Sequence, residues 1–508
     1  MKNLVSLISL ALLPSLAGAS EVEINGIYYN IIDDRYAEVT FDKTKYVGHI
    51  EIPSTIFYGG KEYPVSQIGN IAFMNCSELI SIDIPNSITS IGESAFSSSG
   101  LTSITIPNSV KTIGRLAFQG CQNLKSIVIP NGVTSIKSGT FGWCTGLTSI
   151  KIPRSVTTIE DKAFIKCTGL TSVDIPSSVK SIGKMAFRNC SSLSTVKLSY
   201  GLISISAGVF FDCIGLTSIV IPNSVISIGD AAFYGCTGLT SIRIPRNVRT
   251  IGCLAFGACS NLASIRVDPQ NAVYDSRNNC NAIIETSKNC LILGCKNTKI
   301  PNGVLSIEER AFDSCTGLTS IYIPRFVSSI GESVFCNCNN LSSICVDSLN
   351  AVYDSRNDCN AIIETSTYTL VSGCRSSIIP SDVISIANHV FEGCSSLISI
   401  RIPKSVRTIG YSAFRDCTDL TSIVAEGGIP AAIKGNTFDN VEKKTCTLQV
   451  PNGRKAIYEK EEYWNEFEKI VMPSDNTPIN EGEPSISLFD IICERISNFF
   501  LFIKSLVK

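Results

Sequence analysis

The residues best able to do chemistry in this chain are its 22 cysteines, because only two histidines are present. Twelve of the cysteines recur at one position of a repeated phrase: Cys76, Cys121, Cys144, Cys167, Cys190, Cys213, Cys236, Cys259, Cys315, Cys338, Cys394 and Cys417. Stacked repeats would place neighbouring thiols about 5 Å apart on parallel Cα–Cβ bonds, whereas a disulfide needs Cβ atoms that converge to roughly 3.8 Å. We therefore predict a column of buried free thiols that pack as small apolar side chains.

Two further cysteine pairs lie in irregular segments that interrupt the repeat: Cys280 with Cys295, and Cys359 with Cys374. Small secreted structures depend on disulfides where the chain is irregular, so these four residues are the disulfide candidates. No Cys-x-x-Cys pair lies near the column, and the ligand spacing of a zinc site is missing. We predict no metal site.

The two histidines are not placed as catalytic bases. His49 lies at the edge of a predicted strand and His389 precedes Val390 and Phe391, so we expect both to be solvated surface residues. No nucleophile elbow, zinc-protease helix or phosphate-binding glycine motif is present. The segments 275–279 and 354–358 begin like calcium loops, but each has Arg at a ligand position and lacks the Gly and Glu of that motif. We predict no catalytic residues and no cofactor.

Arginines are the candidate binding residues. The variable position between the two isoleucines of the repeat holds Arg243 and then Arg266, and Arg246 and Arg249 follow Arg243 in the same repeat. Stacking at about 5 Å per repeat would gather these four side chains into a basic patch for an acidic ligand. The alternative is ordinary solubilising charge on an otherwise uncharged face. A second basic set has the same spacing: Arg401, Lys404 and Arg407.

A 23-residue phrase, L-T-S-I-x-I-P-x-S-V-x-x-I-G-x-x-A-F-x-x-C-x-x, organises most of the chain. A fixed period in this range is the signature of a solenoid. One repeat cannot bury its own apolar positions, so stacked repeats would share a continuous core. That core would include a column of phenylalanines: Phe73, Phe96, Phe118, Phe141, Phe164, Phe187, Phe210, Phe233, Phe256, Phe312, Phe335, Phe391 and Phe414.

Local patterns within the phrase predict the elements of each repeat. S-I-x-I alternates like a short strand, and the following Pro ends it because Pro cannot donate to a ladder. A-F-x-x-C-x-x-L has the three-to-four spacing of a helical turn. We predict a right-handed α/β solenoid with one or two short parallel strands and a helical turn per repeat, closed by atypical caps.

Two nearly identical units interrupt the phrase, at 268–301 and 347–380, with a constant offset of 79 residues. Each carries ten extra residues and has an aspartate, Asp268 or Asp347, in place of the strand-ending Pro. The segments 281–286 and 360–365 alternate well enough to add a strand. We expect protruding, hairpin-like excursions.

The ends of the chain differ from the repeats. Residues 1–19 have the short basic start, apolar stretch and small-residue site of a signal peptide. The remaining divisions are a β cap with the first repeat at 20–64, repeats at 65–450, a C-terminal cap at 451–472, a linker at 473–485 and an amphipathic helix at 486–508. The helix could dock on the repeats, associate with a second copy or lie peripherally on a membrane. A net charge of −1 argues against nucleic acid as a partner.

The repeated phrase resembles the BspA-like (Treponema pallidum-type) leucine-rich-repeat surface proteins over roughly residues 22–472. The resemblance includes the A-V-Y-D-S-R-N-x-C-N-A-I-I-E-T insert and the terminal Y-x-x-x-x-x-W-x-x-F unit. It implies a leucine-rich-repeat solenoid that is secreted or exposed at the cell surface and takes part in adhesion. It brings no catalytic residues with it.

These patterns favour a non-catalytic, secreted or cell-surface protein, at the outer membrane or outside the cell. Its expected partner is an extracellular protein or an acidic glycan, recognised for adhesion to host or other cells. The alternative is a structural envelope scaffold that associates with itself or attaches through the helix at 486–508. An enzyme on a parallel solenoid would need clustered carboxylates on one strand face, where this chain has Thr, Ser and a few bases.

Overall fold

The computed structural model describes residues 20–42 and 45–473. The predicted signal peptide and amphipathic helix, and all of the predicted linker but its first residue, lie outside the described residues. The chain divides into two compact units, Met1–Leu216 and Thr217–Lys508. Each unit is built by stacking the 23-residue phrase.

The first unit begins with three antiparallel strand pairs. Ser20–Ile24 pairs with Ile27–Ile32, which also pairs with Tyr36–Val39. Thr55–Tyr58 pairs with Lys61–Ile68, and a turn at Gly59 and Gly60 connects these two strands with φ values of 58° and 81°. Left-handed backbone at both turn residues is what a two-residue hairpin requires.

Each unit has a column of S-I-x-I strands, called here the long-strand column. Neighbouring strands pair in parallel and in register, as Ser172 does with Thr195. In the first unit these strands are Gly48–Glu51, Leu79–Asp83, Ser126–Val128, Ser149–Lys151, Ser172–Asp174 and Thr195–Lys197. In the second unit they are Ser241–Ile244, Ser264–Val267, Ser320–Ile323, Ser343–Val346, Ser399–Ile402, Ser422–Ala425, Thr447–Gln449 and Lys469–Val471.

A second parallel column in each unit is formed by the two residues before the Gly position of the phrase, and is called here the short-strand column. Its strands in the first unit are Ser90–Ile91, Thr112–Ile113, Ser135–Ile136, Thr158–Ile159, Ser181–Ile182 and Ser204–Ile205. In the second unit they are Ser227–Ile228, Thr250–Ile251, Ser306–Ile307, Ser329–Ile330, Ser385–Ile386, Thr408–Ile409 and Ala432–Ile433. The prediction of short parallel strands in each repeat is confirmed.

The predicted helical turn in each repeat is wrong. The A-F-x-x-C segment is a corner of consecutive turns with left-handed residues four positions apart, such as Ser94 at φ 53° and Ser98 at φ 57°. The N–H groups of Ser94, Phe96 and Ser98 donate to carbonyls of the next repeat at 2.9, 2.7 and 2.6 Å. Alternating backbone handedness turns these donors toward the neighbouring repeat, so bonds between repeats replace the bonds of a helix. Within the described residues the α-helix is limited to Lys455–Tyr458, so the repeats are β and turn rather than α/β.

The phenylalanine column forms as predicted. In the first unit the rings of Phe73, Phe96, Phe118, Phe141, Phe164, Phe187 and Phe210 stack with centroids between 5.0 and 5.7 Å apart. In the second unit Phe391 stacks on Phe414, and Phe438, which the phrase does not mark, continues that stack.

The cysteines of the column are buried and are not joined to one another by disulfides, as predicted. Thiols donate to the phenylalanine carbonyl of the preceding repeat: Cys167 Sγ lies 3.0 Å from Phe141 O, and Cys190 Sγ lies 3.2 Å from Phe164 O. Burial raises the pKa of both thiols well above the ordinary value. They are therefore protonated donors at neutral pH.

The inserts fold as hairpins but do not protrude. Ile283–Glu285 pairs antiparallel with both Tyr274–Asp275 and Cys290–Leu293, and the last strand joins the short-strand column through Ser306–Ile307. A short 3-10 turn, Arg277–Asn279, links the first two strands. The second insert repeats this with Tyr353–Asp354, the 3-10 turn Arg356–Asp358, Ile362–Glu364 and Thr369–Ser372. Because their apolar side chains enter the core, the inserts are layers of the stack.

The predicted disulfides of the inserts are not formed in the structure. All four cysteines are free and buried. Cys280 Sγ lies 3.8 Å from Ala282 O and Cys295 Sγ lies 3.2 Å from Asn281 O. In the second insert, Cys359 and Cys374 contact Ala361 O and Asn360 O in the same way. Each thiol faces a backbone carbonyl as its hydrogen-bond partner.

Aromatic side chains close the last repeat. Tyr458, Trp464 and Phe467 are buried, and Trp464 lies in the 3-10 turn Trp464–Glu466. Trp464 Nε1 donates to Ala431 O at 2.8 Å, and Tyr458 OH donates to Gly427 O at 2.9 Å. These groups cover the apolar end that a repeat would otherwise leave exposed.

Candidate recognition surface

The parallel register of the long-strand column brings two predicted binding residues together. Arg243 lies directly opposite Arg266 because Ser241–Ile244 pairs in register with Ser264–Val267. The isoleucines on either side of Arg243 point into the core, so both arginines are exposed. Arg246 and Arg249 are also exposed, on the loop that connects this strand to the short strand Thr250–Ile251. These four residues are called the basic patch.

The first insert supplies polar partners to three of the four arginines. Arg243 Nη2 lies 2.9 Å from Asp268 Oδ2. Arg246 Nη1 donates to Gln270 Oε1 at 3.3 Å, and Arg266 Nη1 donates to Asn279 Oδ1 at 3.2 Å. Asp268 is thus the carboxylate paired within the patch. The side chain of Arg243 remains 71% exposed in this pair. Four positive charges against one paired carboxylate leave the patch basic.

Asp268 is held in place by the insert backbone. The N–H of Gln270 donates to Asp268 Oδ1 at 3.0 Å. This backbone bond, and after it the bond from Arg243, lowers the pKa of the Asp268 carboxyl below its ordinary value. The aspartate that replaces the strand-ending Pro is therefore ionised at neutral pH and orients Arg243.

A side-chain amide fixes the rest of the insert loop. Asn271 Nδ2 donates to the carbonyls of Pro245 and Val248 at 2.8 and 3.0 Å. Its Oδ1 accepts from the N–H groups of Val273 and Tyr274, both at 2.9 Å. The first two bonds attach the insert to the repeat that carries Arg246 and Arg249, and the other two hold the insert loop around Asn271.

The segments that resemble calcium loops are occupied by ion pairs. Arg277 Nη2 lies 2.6 Å from Asp275 Oδ2, and Arg356 pairs with both Asp354 and Asp382. The described residues contain no group of three or more His, Cys, Asp or Glu side chains placed to hold a metal ion.

The second basic set lies on a strand without an insert. Arg401 pairs with Glu426 one repeat further on, and Lys404 and Arg407 are exposed. This set has a similar spacing to the basic patch but lacks the insert loop.

The second unit contains a buried polar cluster that the sequence analysis did not predict. Glu392 Oε2 accepts from Ser333 Oγ at 3.0 Å and lies 3.0 Å from His389 Nδ1 and 3.8 Å from Arg310 Nη2. Asp313, with 2% of its side chain exposed, also pairs with Arg310. The cluster forms because Gly373 takes the corner phenylalanine's place in the second insert. The corners on either side of that insert then meet directly, with Asn337 N–H bonded to Glu392 O.

The cluster does not provide an activated nucleophile. Burial, followed by the charges of Glu392 and Asp313, raises the pKa of the neighbouring Cys336 thiol far above its ordinary value. Burial also raises the pKa of Asp313. His389 is half-buried against Glu392, which corrects the expectation that it is a solvated surface residue, whereas His49 is exposed.

The family description "BspA type Leucine rich repeat region (6 copies)" matches residues 37–171, 157–283, 287–364 and 361–482. The chain belongs to this family. Among the described residues of this BspA-type protein, no helix is long and apolar enough to cross a membrane. A search of curated proteins found no match.

The solved structures similar to this BspA-type chain include three bacterial leucine-rich-repeat proteins. A leucine rich cell surface protein from Faecalibacterium prausnitzii A2-165 is 30% identical, over 83% of this chain and 98% of that one, with a TM-score of 0.48. A leucine-rich repeat protein from Bacteroides ovatus ATCC 8483 is 25% identical, over 84% and 99%, with a TM-score of 0.44. The T. pallidum leucine rich repeat protein is 25% identical, over 48% and 91%, with a TM-score of 0.27. Family membership indicates a repeat scaffold for recognition.

Proposed function

We propose that this chain is a secreted or cell-surface recognition protein without catalytic activity. Its binding site is the basic patch, and its ligand is an acidic group on an extracellular protein or glycan, bound in adhesion to host or other cells. The supporting observation is the in-register pairing that sets the exposed Arg243 beside the exposed Arg266.

Several features of the patch suit an anion. Guanidinium groups bind carboxylate and sulfate in a planar, two-pronged geometry. The insert holds Arg243, Arg246 and Arg266 by side-chain contacts, so part of their conformational freedom is already lost before a ligand arrives. Clustered like charges also steer an acidic partner toward the site.

The test is a binding titration of the purified chain with dextran sulfate and with a polyglutamate peptide. Reversing all four charges (R243E, R246E, R249E and R266E) should weaken binding by about tenfold or more. The matched control reverses Arg401, Lys404 and Arg407, which have a similar spacing without an insert, and should change binding less than about twofold. Equal effects of the two sets would assign the binding to general charge and reject the basic patch.

Surface location needs its own experiment. Intact cells that express the chain would be treated with a protease, and loss of the repeat region would be followed by mass spectrometry. Complete protection on intact cells, with cleavage after lysis, would contradict exposure at the cell surface.

A further inference from the structure

The two inserts share one framework. Asp347 Oδ1 accepts the N–H of Leu349 at 2.9 Å, as Asp268 accepts that of Gln270. Asn350 Nδ2 donates to Pro324 O and Val327 O at 3.0 and 2.9 Å, which repeats the bonds of Asn271. The second insert therefore presents its surface positions in the same way as the first.

The exposed residues on this framework differ in chemistry. Arg243, Asn247 and Gln270 of the first insert region correspond, at an offset of 79 residues, to Tyr322, Phe326 and Leu349. These three apolar side chains are 37%, 49% and 53% exposed. Together with Arg325 they are called the aromatic patch. A surface that is polar and basic at one insert is thus aromatic and aliphatic at the other.

The polar ends of the aromatic patch are already bonded within the chain. Tyr322 OH donates to Asp347 Oδ2 at 2.8 Å, so the tyrosine takes the place that Arg243 has beside Asp268. The guanidinium of Arg325 lies 4.5 Å from the centroid of the Phe326 ring. What the patch offers a partner is apolar area with one cation, a composition enriched in the centres of protein interfaces.

The two patches are neighbours on the second unit. The variable strand position runs Arg243, Arg266, Lys299 and Tyr322 through successive repeats. The intermediate repeat lies against the strand of Arg266, because Lys296 N–H donates to Leu262 O and Asn297 Nδ2 donates to Ala263 O. At about 4.8 Å per repeat, Tyr322 lies two repeats, or roughly 10 Å, from Arg266.

We propose that the basic and aromatic patches form one surface, and that its partner is a protein with an acidic segment next to apolar side chains rather than an acidic glycan. This inference rests on the proposed function, since it takes the basic patch as an anion site. Charge complementarity selects the acidic segment. Sulfated and uronic sugars lack the aliphatic and aromatic side chains that would cover Phe326 and Leu349 and remove them from water.

The test uses synthetic peptides and a double substitution that copies residues from the first insert region into the second. The probes are a six-residue Glu/Asp peptide and the same peptide extended, in either order, by three linking residues and a Leu-Phe-Leu segment. Three extended residues span roughly 10 Å. Dextran sulfate is the glycan probe. The double substitution F326N/L349Q places the residues of the first insert region on the framework of the second.

The extended peptide should bind about tenfold more tightly than the acidic peptide in at least one order, and F326N/L349Q should abolish that gain. The same variant should leave the affinities for the acidic peptide and for dextran sulfate unchanged. Reversal of the four arginines should weaken binding of every probe.

Each contrary outcome is distinct. If the extension adds no affinity, or if F326N/L349Q does not reduce it, the protein partner is rejected while the anion site stands. If dextran sulfate binds more tightly than either extended peptide, the partner is a glycan and this inference fails. If charge reversal leaves all probes bound as before, the proposed function itself fails.

Discussion

Arg243 and Asp268 form an ion pair across two successive repeats, with Nη2 and Oδ2 2.9 Å apart. The aspartate occupies the position at which the phrase elsewhere ends its strand with Pro. Asp268 has the backbone N–H that Pro lacks, and it donates this N–H to Ile244 O. Its carboxylate also orients the neighbouring Arg243. The equivalent pair in the second insert is Tyr322 and Asp347, joined by a hydrogen bond without a positive charge.

Asp268→Asn should strengthen binding of an acidic probe. Asparagine keeps an oxygen to accept the N–H of Gln270 but removes the negative charge beside Arg243. The lowered pKa of Asp268 keeps the wild-type carboxyl charged throughout the neutral range. A change of pH within that range therefore does not remove the charge, and the substitution does. The measurement is the affinity for dextran sulfate from roughly 50 to 300 mM salt, a range over which salt increasingly screens charges. The variant should bind more tightly than wild type at low salt, and the two affinities should converge at high salt. Asp347→Asn is the control, because its partner is Tyr322, and a gain of similar size there would contradict the role of Arg243.

Gly294→Ala should destabilise the second unit by about 2–3 kcal/mol through overpacking. A Cβ at this position would lie 2.1 Å from Cε1 of Phe312, whose ring occupies the space left by the missing corner phenylalanine of the insert. Gly303→Ala, two residues after the same insert, is the matched control, since the nearest atom to its Cβ would be 3.5 Å away. Urea unfolding measures both variants. Adding Phe312→Leu to Gly294→Ala should recover part of the loss, and failure to do so would assign the loss to another contact.

Glu392→Gln should lower the free energy of unfolding by about 3–5 kcal/mol, the range seen when one partner of a buried charge pair is removed. The substitution removes the buried carboxylate charge beside His389 and leaves Arg310 with Asp313 and the exposed Glu309. Glu309→Gln removes a carboxylate from the same arginine at a site with 65% of its side chain exposed, and should cost less than about 1 kcal/mol. Equal losses of unfolding free energy in the two variants would show that burial of Glu392 does not increase its contribution to stability.

Stability should fall as the pH rises above about 9, through thiols of the cysteine column. The pKa of Cys190 is 9.0 in an ordinary environment and well above this in the fold. Above the unfolded value the unfolded chain loses the proton while the folded chain keeps it, so each such thiol lowers the free energy of unfolding by up to about 1.4 kcal/mol per pH unit. Urea unfolding from pH 8 to 10 should give a shallower pH slope for Cys190→Ala than for wild type. Burial raises the pKa of the exposed Cys253 as well, but not so far, so Cys253→Ser should change the slope less than Cys190→Ala does. An unaltered slope in Cys190→Ala would refute the column's role.

The same burial predicts the order of thiol labelling. Iodoacetamide at pH 8 should modify Cys253 in the folded chain, while Cys167 should react only after unfolding, as mapped by peptide mass spectrometry. Cys280 and Cys295 should also react on unfolding without reductant, because each thiol is free and faces a carbonyl. A requirement for reductant at those two residues would instead support the disulfide predicted from the sequence.

Local sequence predicted the strands well and the corner badly. The alternation of S-I-x-I and the Pro that follows it predict a strand correctly, because successive side chains of a strand point to opposite faces whatever the strand packs against. The spacing of A-F-x-x-C fits a helix equally well, but a helix would use the N–H groups of residues such as Phe96 internally, whereas the stack offers them the carbonyl of Ala117 at 2.7 Å. Bonds between repeats are not visible to a pattern read within one repeat.

The sequence by itself determined the period, the stacked core of Phe and Cys, the family, and the four arginines that form the candidate site. These follow from repetition, since any side chain at a constant position of a stacked unit meets its own copies. Only the tertiary structure decided that Asp268 pairs with Arg243, that the inserts are layers of the stack, and that Glu392 meets Arg310 and His389. The reason is that each insert lacks a corner and carries an extra loop, so side chains from different repeat positions come into contact where the period fails.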